Sequence, residues 1–221
     1  RKNYIIIYII IIYIGLRLVS GANLCSAEND FTVVRLHYRG GGDWYNNPSI
    51  IPNLLEFINK QTIVQTQEDE VQLSVLDDRL FSYPVLFMTG HGRVVFSPEE
   101  VKRLRDYLTN GGFLYADDDY GMQEHFFREM NKVFPDRDIH KVPFSHEIFH
   151  FPFEFSNGLP KIHEFDGGPP EAFGYFDRGR LVVFYTSNTN ISDGWADPAV
   201  HNDPEAVRRQ ALKMGANIMI Y

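Results

Sequence analysis

The sequence predicts an α/β fold on a mostly parallel sheet, and three observations carry that expectation. Between Tyr83 and Asp119 the chain reads strand, turn, helix, strand. Further short runs of strong β formers lie on both sides of that block. Between the two strands, Val101, Leu104, Tyr107 and Leu108 recur at the spacing of one buried helical stripe. Parallel strands joined through a helix present their trailing turns on one sheet edge, and open α/β sheets bind ligands there.

Taken in order, residues 31–38 alternate apolar and polar and form the first strand. A glycine-rich turn from Arg39 to Asp43 follows. A helix opens at Asn47 and Pro48, with Ile51, Leu54, Leu55 and Ile58 on its apolar face. Pro48 suits a first helical turn, whereas Pro52 would be unusual further in and draws the start later. Residues 71–75 form a second strand. Residues 84–88 form the third, trailed by Thr89, Gly90, His91 and Gly92. Ser97 and Pro98 open a helix that Gly111 and Gly112 end. Residues 113–116 form the fourth strand, and Asp117, Asp118 and Asp119 follow it. Residues 122–133 read as a helix with Phe126, Phe127 and Met130 inward, closed by Pro135. Residues 141–155 are aromatic-rich and broken by Pro143 and Pro152, an irregular connection. Residues 173–177 and 181–185 form a hairpin turning at Arg178 and Gly179. Asp203, Pro204 and Glu205 cap a last helix over 206–217.

The bulk properties bound the function. A chain of 221 residues with 44% hydrophobic and 14% aromatic content supports one domain plus a short segment. A net charge of −8 and a pI near 5.4 argue against a nucleic-acid partner, which would demand a basic face. The single cysteine, Cys25, excludes an internal disulfide and any CxxC site. Residues 1–27 have the order of a signal peptide: basic Arg1 and Lys2, an isoleucine-rich run over 4–16, then small residues near Ala22 and Ala27. Thirteen helical residues span roughly 20 Å, short of a hydrocarbon core of ~30 Å. A spanning anchor would include Arg17, at a cost of about 2.5 kcal/mol. A cleaved signal, a retained membrane anchor and, less well matched because Leu24 precedes Cys25, a lipoprotein all place the domain at residues 28–221 outside the cytoplasm.

Several residues carry chemistry. His91 lies between glycines at a strand end, where an imidazole serves as base or metal ligand; the competing reading is a histidine that fixes a turn. Asp117, Asp118 and Asp119 cannot crowd together without a cation. Strand alternation turns one of them away, and Asp117 and Asp118 are the expected pair. With His91 they form a candidate catalytic or divalent-metal set; the competing reading is a solvated helix cap. Arg39, Gly40 and Trp44 belong to a loop that could receive an anion, although it matches neither GxGxxG nor a P-loop. Gly90, Glu124, Asp193 and Trp195 are further candidate ligand-binding residues on the same rim. Trp195 reads equally well as a buried indole. His146 to His150 spells HExxH, but Pro143 and Pro152 leave barely two helical turns, so a zinc protease is not expected. His146 is expected instead to reach the rim beside His91.

Taken together, the segments around Pro84 to Gly92 and Gly111 to Asp119 resemble a bacterial domain family of unknown function, DUF4159. Leu76-Asp77-Asp78, the stretch from Phe144 to His150, and Ser192 to Trp195 strengthen the likeness, which covers about residues 31–221. The resemblance implies a flavodoxin-like, class I glutamine amidotransferase-like three-layer sandwich. It implies no activity. Those amidotransferases place a cysteine on a strand-to-helix turn, near Thr89 to Gly92 here, where this chain has none. The first expectation is therefore an exported or membrane-tethered domain without the catalytic thiol. It would bind an unidentified protein partner or a small polar ligand of the cell envelope at its rim. The alternative is a metal-assisted hydrolase of a sugar or peptide-like substrate, using His91, Asp117 and Asp118.

Overall fold

The computed structural model describes residues 31–221, which form one compact unit. The export reading of residues 1–27 lies outside the described residues. Seven strands build one sheet: β1 (Val34–His37), β2 (Val71–Ser74), β3 (Val85–His91), β4 (Phe113–Tyr120), β5 (His140–Lys141), β6 (Glu171–Asp177) and β7 (Arg180–Ser187). Their order is β2-β1-β3-β4-β7-β6-β5. The first five in that order run parallel, while β6 and β5 close one side antiparallel. The chain is thus an α/β domain on a mostly parallel sheet, as its sequence predicts.

Alternation along the central strands sorts the core into two layers. Val85, Phe87, Phe113, Tyr115 and Phe184 face one way, against helix α1 (Ile50–Gln61) and the C-terminal helix α5 (Glu205–Ile220). Leu86, Met88, Leu114, Ala116 and Val183 face the other, against α2 (Pro98–Thr109) and α3 (Gln123–Val133). Both faces of a parallel sheet must be covered in this way, which is why the first four residues of β3 (85–88) and of β4 (113–116) are all apolar. Helix α2 starts with a capping box, in which Ser97 and Glu100 each accept the other's backbone N–H. A short helix α4 (Pro198–His201) precedes α5. No helix among the described residues is long and apolar enough to cross a membrane.

Two boundaries differ from the sequence expectation. Helix α1 starts at Ile50, which leaves Pro52 in its first turn, where no N–H is needed. Strands β3 and β4 continue through His91 and Tyr120, so the histidine and the three aspartates belong to strands rather than to the turns after them. The β6–β7 hairpin turns at Arg178 and Gly179, both with left-handed backbone (φ 49° and 82°).

From β1 the chain passes to β2 on one side, then returns across to β3 on the other. The carboxyl ends of β1 and β3 therefore open a crevice between connections that diverge, the place where such sheets seat ligands.

Candidate functional site

Register brings the rim together. Thr89 pairs with Asp117 and Gly90 with Asp118, then an irregularity sets His91 opposite Tyr120. Side chains alternate along a strand, so the three consecutive aspartates part company. Asp117 points into the α1/α5 layer and is fully buried. It accepts from Thr186 Oγ1 and from the Ser192 backbone N–H, both at 2.6 Å. Burial pushes its carboxyl up to about 7, against those hydrogen bonds. Asp118 points into the opposite layer. Its Oδ1 accepts from the N–H groups of Tyr120 and Met122, and its Oδ2 from the Tyr185 hydroxyl at 2.5 Å. It fixes the turn that leads into α3.

Asp119 is the aspartate that meets His91, with Oδ2 3.3 Å from the imidazole Nδ1. The expected set of His91, Asp117 and Asp118 does not converge, because each of those two carboxylates is turned into a core layer and spent on hydrogen bonds there. The set that does converge is Asp43, His91 and Asp119, whose ligand atoms lie within 4.8 Å of one another. Asp43, from the loop after β1, accepts from the His91 backbone N–H at 2.6 Å and lies 2.9 Å from its Nδ1. Burial works against a charged imidazole, but the Asp43 hydrogen bond and the fields of Asp119, Asp43 and Asp193 outweigh it and raise the His91 pKa. Asp119 is held above the usual carboxylate range, by burial and then by the nearby Asp193. The His91 side chain remains 51% exposed against 7% for Asp119, so the imidazole faces solvent over a buried acid.

This approach requires Gly90. Its φ is +134°, and a Cβ there would stand 2.5 Å from the Tyr38 hydroxyl and 3.0 Å from Asp43 Oδ1. Tyr38, buried beneath the site, donates to the Thr89 carbonyl at 3.0 Å. Burial first, then the fields of Asp43, Asp119 and Asp118, hold its hydroxyl neutral far above the ordinary tyrosine range. The loop itself is tethered from below by Arg35. This buried guanidinium pairs with Glu70 at 2.8 Å and donates to the backbone carbonyls of Asn46 and Asn47 at 2.9 and 3.1 Å.

A second polar group adjoins the first. Asn190 Nδ2 donates both to Asp119 at 2.7 Å and to Asp193 at 2.6 Å. Asp193 Oδ2 lies 3.1 Å from His163 Nδ1, and its Oδ1 lies 3.5 Å from His201 Nε2. His163 Nε2 faces both oxygens of Asp203 at 3.1 Å. The hydrogen bond to Asp193 first, and that to Asp203 next, lift His163 to about 9. Asp203 does not cap α5 with its side chain as the sequence suggests; no side-chain cap is made there, and the carboxylate serves His163.

The remaining candidates lie elsewhere. Arg39 turns outward to Glu100 at 2.6 Å, and Gly40 fits because a Cβ would meet the Arg93 carbonyl at 2.5 Å. Trp44 packs on His37, ring centres 4.4 Å apart, as part of the loop's footing. Trp195 is wholly buried under the sheet, donating to the Ala211 carbonyl, so it lines no pocket. Glu124 is exposed on α3. His146 is not on the rim. It stacks on Tyr221 and Phe176 at 5.4 and 5.9 Å, and Tyr221 accepts from the N–H of Leu181 near the start of β7, at the opposite end of the sheet. The HExxH spelling folds as a 3-10 turn, Glu147–Phe149, with His150 engaged by Glu154 and the Phe144 carbonyl.

Fold and rim thus define an α/β domain with a histidine–carboxylate site at the strand switch. The chain belongs to the DUF4159 family: residues 32–221 match the Domain of unknown function (DUF4159). A comparison with curated proteins finds no match.

Proposed function

We propose that this domain is an amidotransferase-like binding module without a thiol, which takes a polar, cation-bearing ligand or the cationic group of a partner at the rim. The observation that carries the reading is the meeting of Asp43, His91 and Asp119 at the carboxyl ends of β1, β3 and β4. The parallel strand order β2-β1-β3-β4-β7 supports a flavodoxin-like arrangement with its switch at the same place. The only cysteine is Cys25, outside residues 31–221, so the domain has no sulfur nucleophile. An excess of carboxylate over imidazole favours positive charge in the ligand. The sequence of residues 1–27 supports delivery of the domain to the cell envelope, cleaved or tethered.

A second reading has its own observation. Asp43 and Asp119 flank the same ring nitrogen, Nδ1 of His91, so one divalent ion placed there would be shared by all three groups and would activate a bound water, as a metal-assisted hydrolase requires. Its ligands would be His91, Asp43 and Asp119 in place of Asp117 and Asp118.

The two are separated by thermal shift of the full chain with a panel of amines, amino sugars, Mg²⁺ and Mn²⁺, run beside His91→Gln and Asp119→Asn. An organic cation that stabilises the parent chain and binds at least about tenfold more weakly to both variants supports the binding module. Stabilisation by metal alone, lost in both variants, selects the hydrolase reading. Equal binding by parent and variants overturns the rim as the site.

A further inference from the structure

We propose that His163, Asp193 and His201 form a transition-metal site, with Asp203 as the group that orients His163. The inference goes beyond the reading of His91 and stands without it. Three non-adjacent segments supply the ligands: the loop at Ile162 and His163, the 3-10 turn Ser192–Trp195, and the end of α4. Their ligand atoms lie within 4.8 Å of one another. His163 Nδ1 and His201 Nε2 lie 3.1 and 3.5 Å from the two different oxygens of Asp193, and His201 Nε2 also meets the Asn47 side-chain amide at 3.2 Å, a contact that metal binding would replace. Ligands around a tetrahedral metal at about 2.0–2.1 Å stand at mutual separations of this size.

The arrangement around the triad points the same way. A metal-bound histidine generally gives its other ring N–H to a carboxylate, which fixes the ring and its tautomer. Here His163 Nε2 meets both oxygens of Asp203 at 3.1 Å. Asp193 is itself held by Asn190 at 2.6 Å. The amide oxygen of Asn190 is buried and has no hydrogen-bond partner among the described residues, an acceptor that a water on the metal could satisfy. His163 and His201 are about one quarter exposed and the acids about one tenth, so an ion can reach a preformed set. Two imidazoles and one carboxylate suit Zn²⁺, Co²⁺ or Fe²⁺ rather than Mg²⁺ or Ca²⁺, which prefer oxygen alone. They also leave coordination positions for water or substrate.

The test is Co²⁺ titration of the full chain in detergent, followed by the visible absorption of bound Co²⁺ and by competition with Zn²⁺. The expected result is one Co²⁺ whose band disappears in His201→Gln, persists in His91→Gln, and requires about 10–100-fold more Co²⁺ in Asp203→Asn. His201 is about one quarter exposed at the end of α4, and circular dichroism verifies that its variant folds; His163→Ala is the second arm. A parent chain with no band, or a band unmoved by His201→Gln and His163→Ala, overturns the site. So does a band lost in His91→Gln alone, which assigns the ion to Asp43, His91 and Asp119.

Discussion

The two ends of the sheet differ in kind, and size misleads about which one matters. At the amino end lies a cavity of about 570 Å³ lined largely by apolar groups, among them Phe31, Val85, Met219 and Tyr221. His146 sits beside it, stacked on aromatic rings, and burial lowers its pKa. At the carboxyl end, connected hydrogen bonds and short contacts run from Asp43 through His91, Asp119, Asn190 and Asp193 to His163. Both ends carry histidines that the sequence marks out. Only one surrounds them with acids contributed by several loops. Convergence of titratable groups, rather than void volume, is what supports the proposed site in this fold.

Three substitutions would break or sharpen that contrast. The largest effect belongs to Asp118→Ala, a rim residue with a structural task. It strands two N–H groups and the Tyr185 hydroxyl, at a cost of about 3 kcal/mol in urea unfolding, while Asp119→Ala costs about 1 kcal/mol or less. Equal losses would mean that the two acids share one role.

Asp117→Asn comes next, and its effect depends on pH. A carboxyl raised from 3.8 to about 7 binds its proton more tightly in the folded state. Its contribution is fully present below about pH 4 and fades as pH rises through 7. The asparagine variant should therefore gain on the parent by roughly 1–3 kcal/mol between pH 4 and 8. A constant difference across that window would refute the raised value. The smallest effect is His146→Ala, about 1 kcal/mol from lost stacking, with ligand or metal binding at the rim unchanged. Any change in rim binding would join the two ends after all.

Much of the architecture was legible in the sequence, because apolar runs, turn glycines and the stripe of α2 all follow local rules. The meeting of His91 with an aspartate was legible too, from β3 and β4 being parallel neighbours. Which aspartate was not. Asp has poor strand propensity, so three in a row read as a turn, whereas β4 continues through them and alternation turns Asp118 to the face opposite Asp117 and Asp119. Asp43 was visible only as a charge in a glycine-rich loop; its contact with His91 depends on how far Gly90 lets that loop descend. His163 and His201 come from irregular segments without periodicity, and nothing local marks them as neighbours. Arg35 looked like an ordinary polar position in an alternating strand, and its burial follows from packing beneath the loop.

That arginine has a consequence for recognition. By gripping two consecutive peptide carbonyls while neutralised by Glu70, it freezes the segment carrying Asp43 and Asn46 before anything arrives. The ordering entropy of that segment is settled when the chain folds, so a molecule bound at the proposed site would meet a finished seat and keep more of its contact energy as affinity.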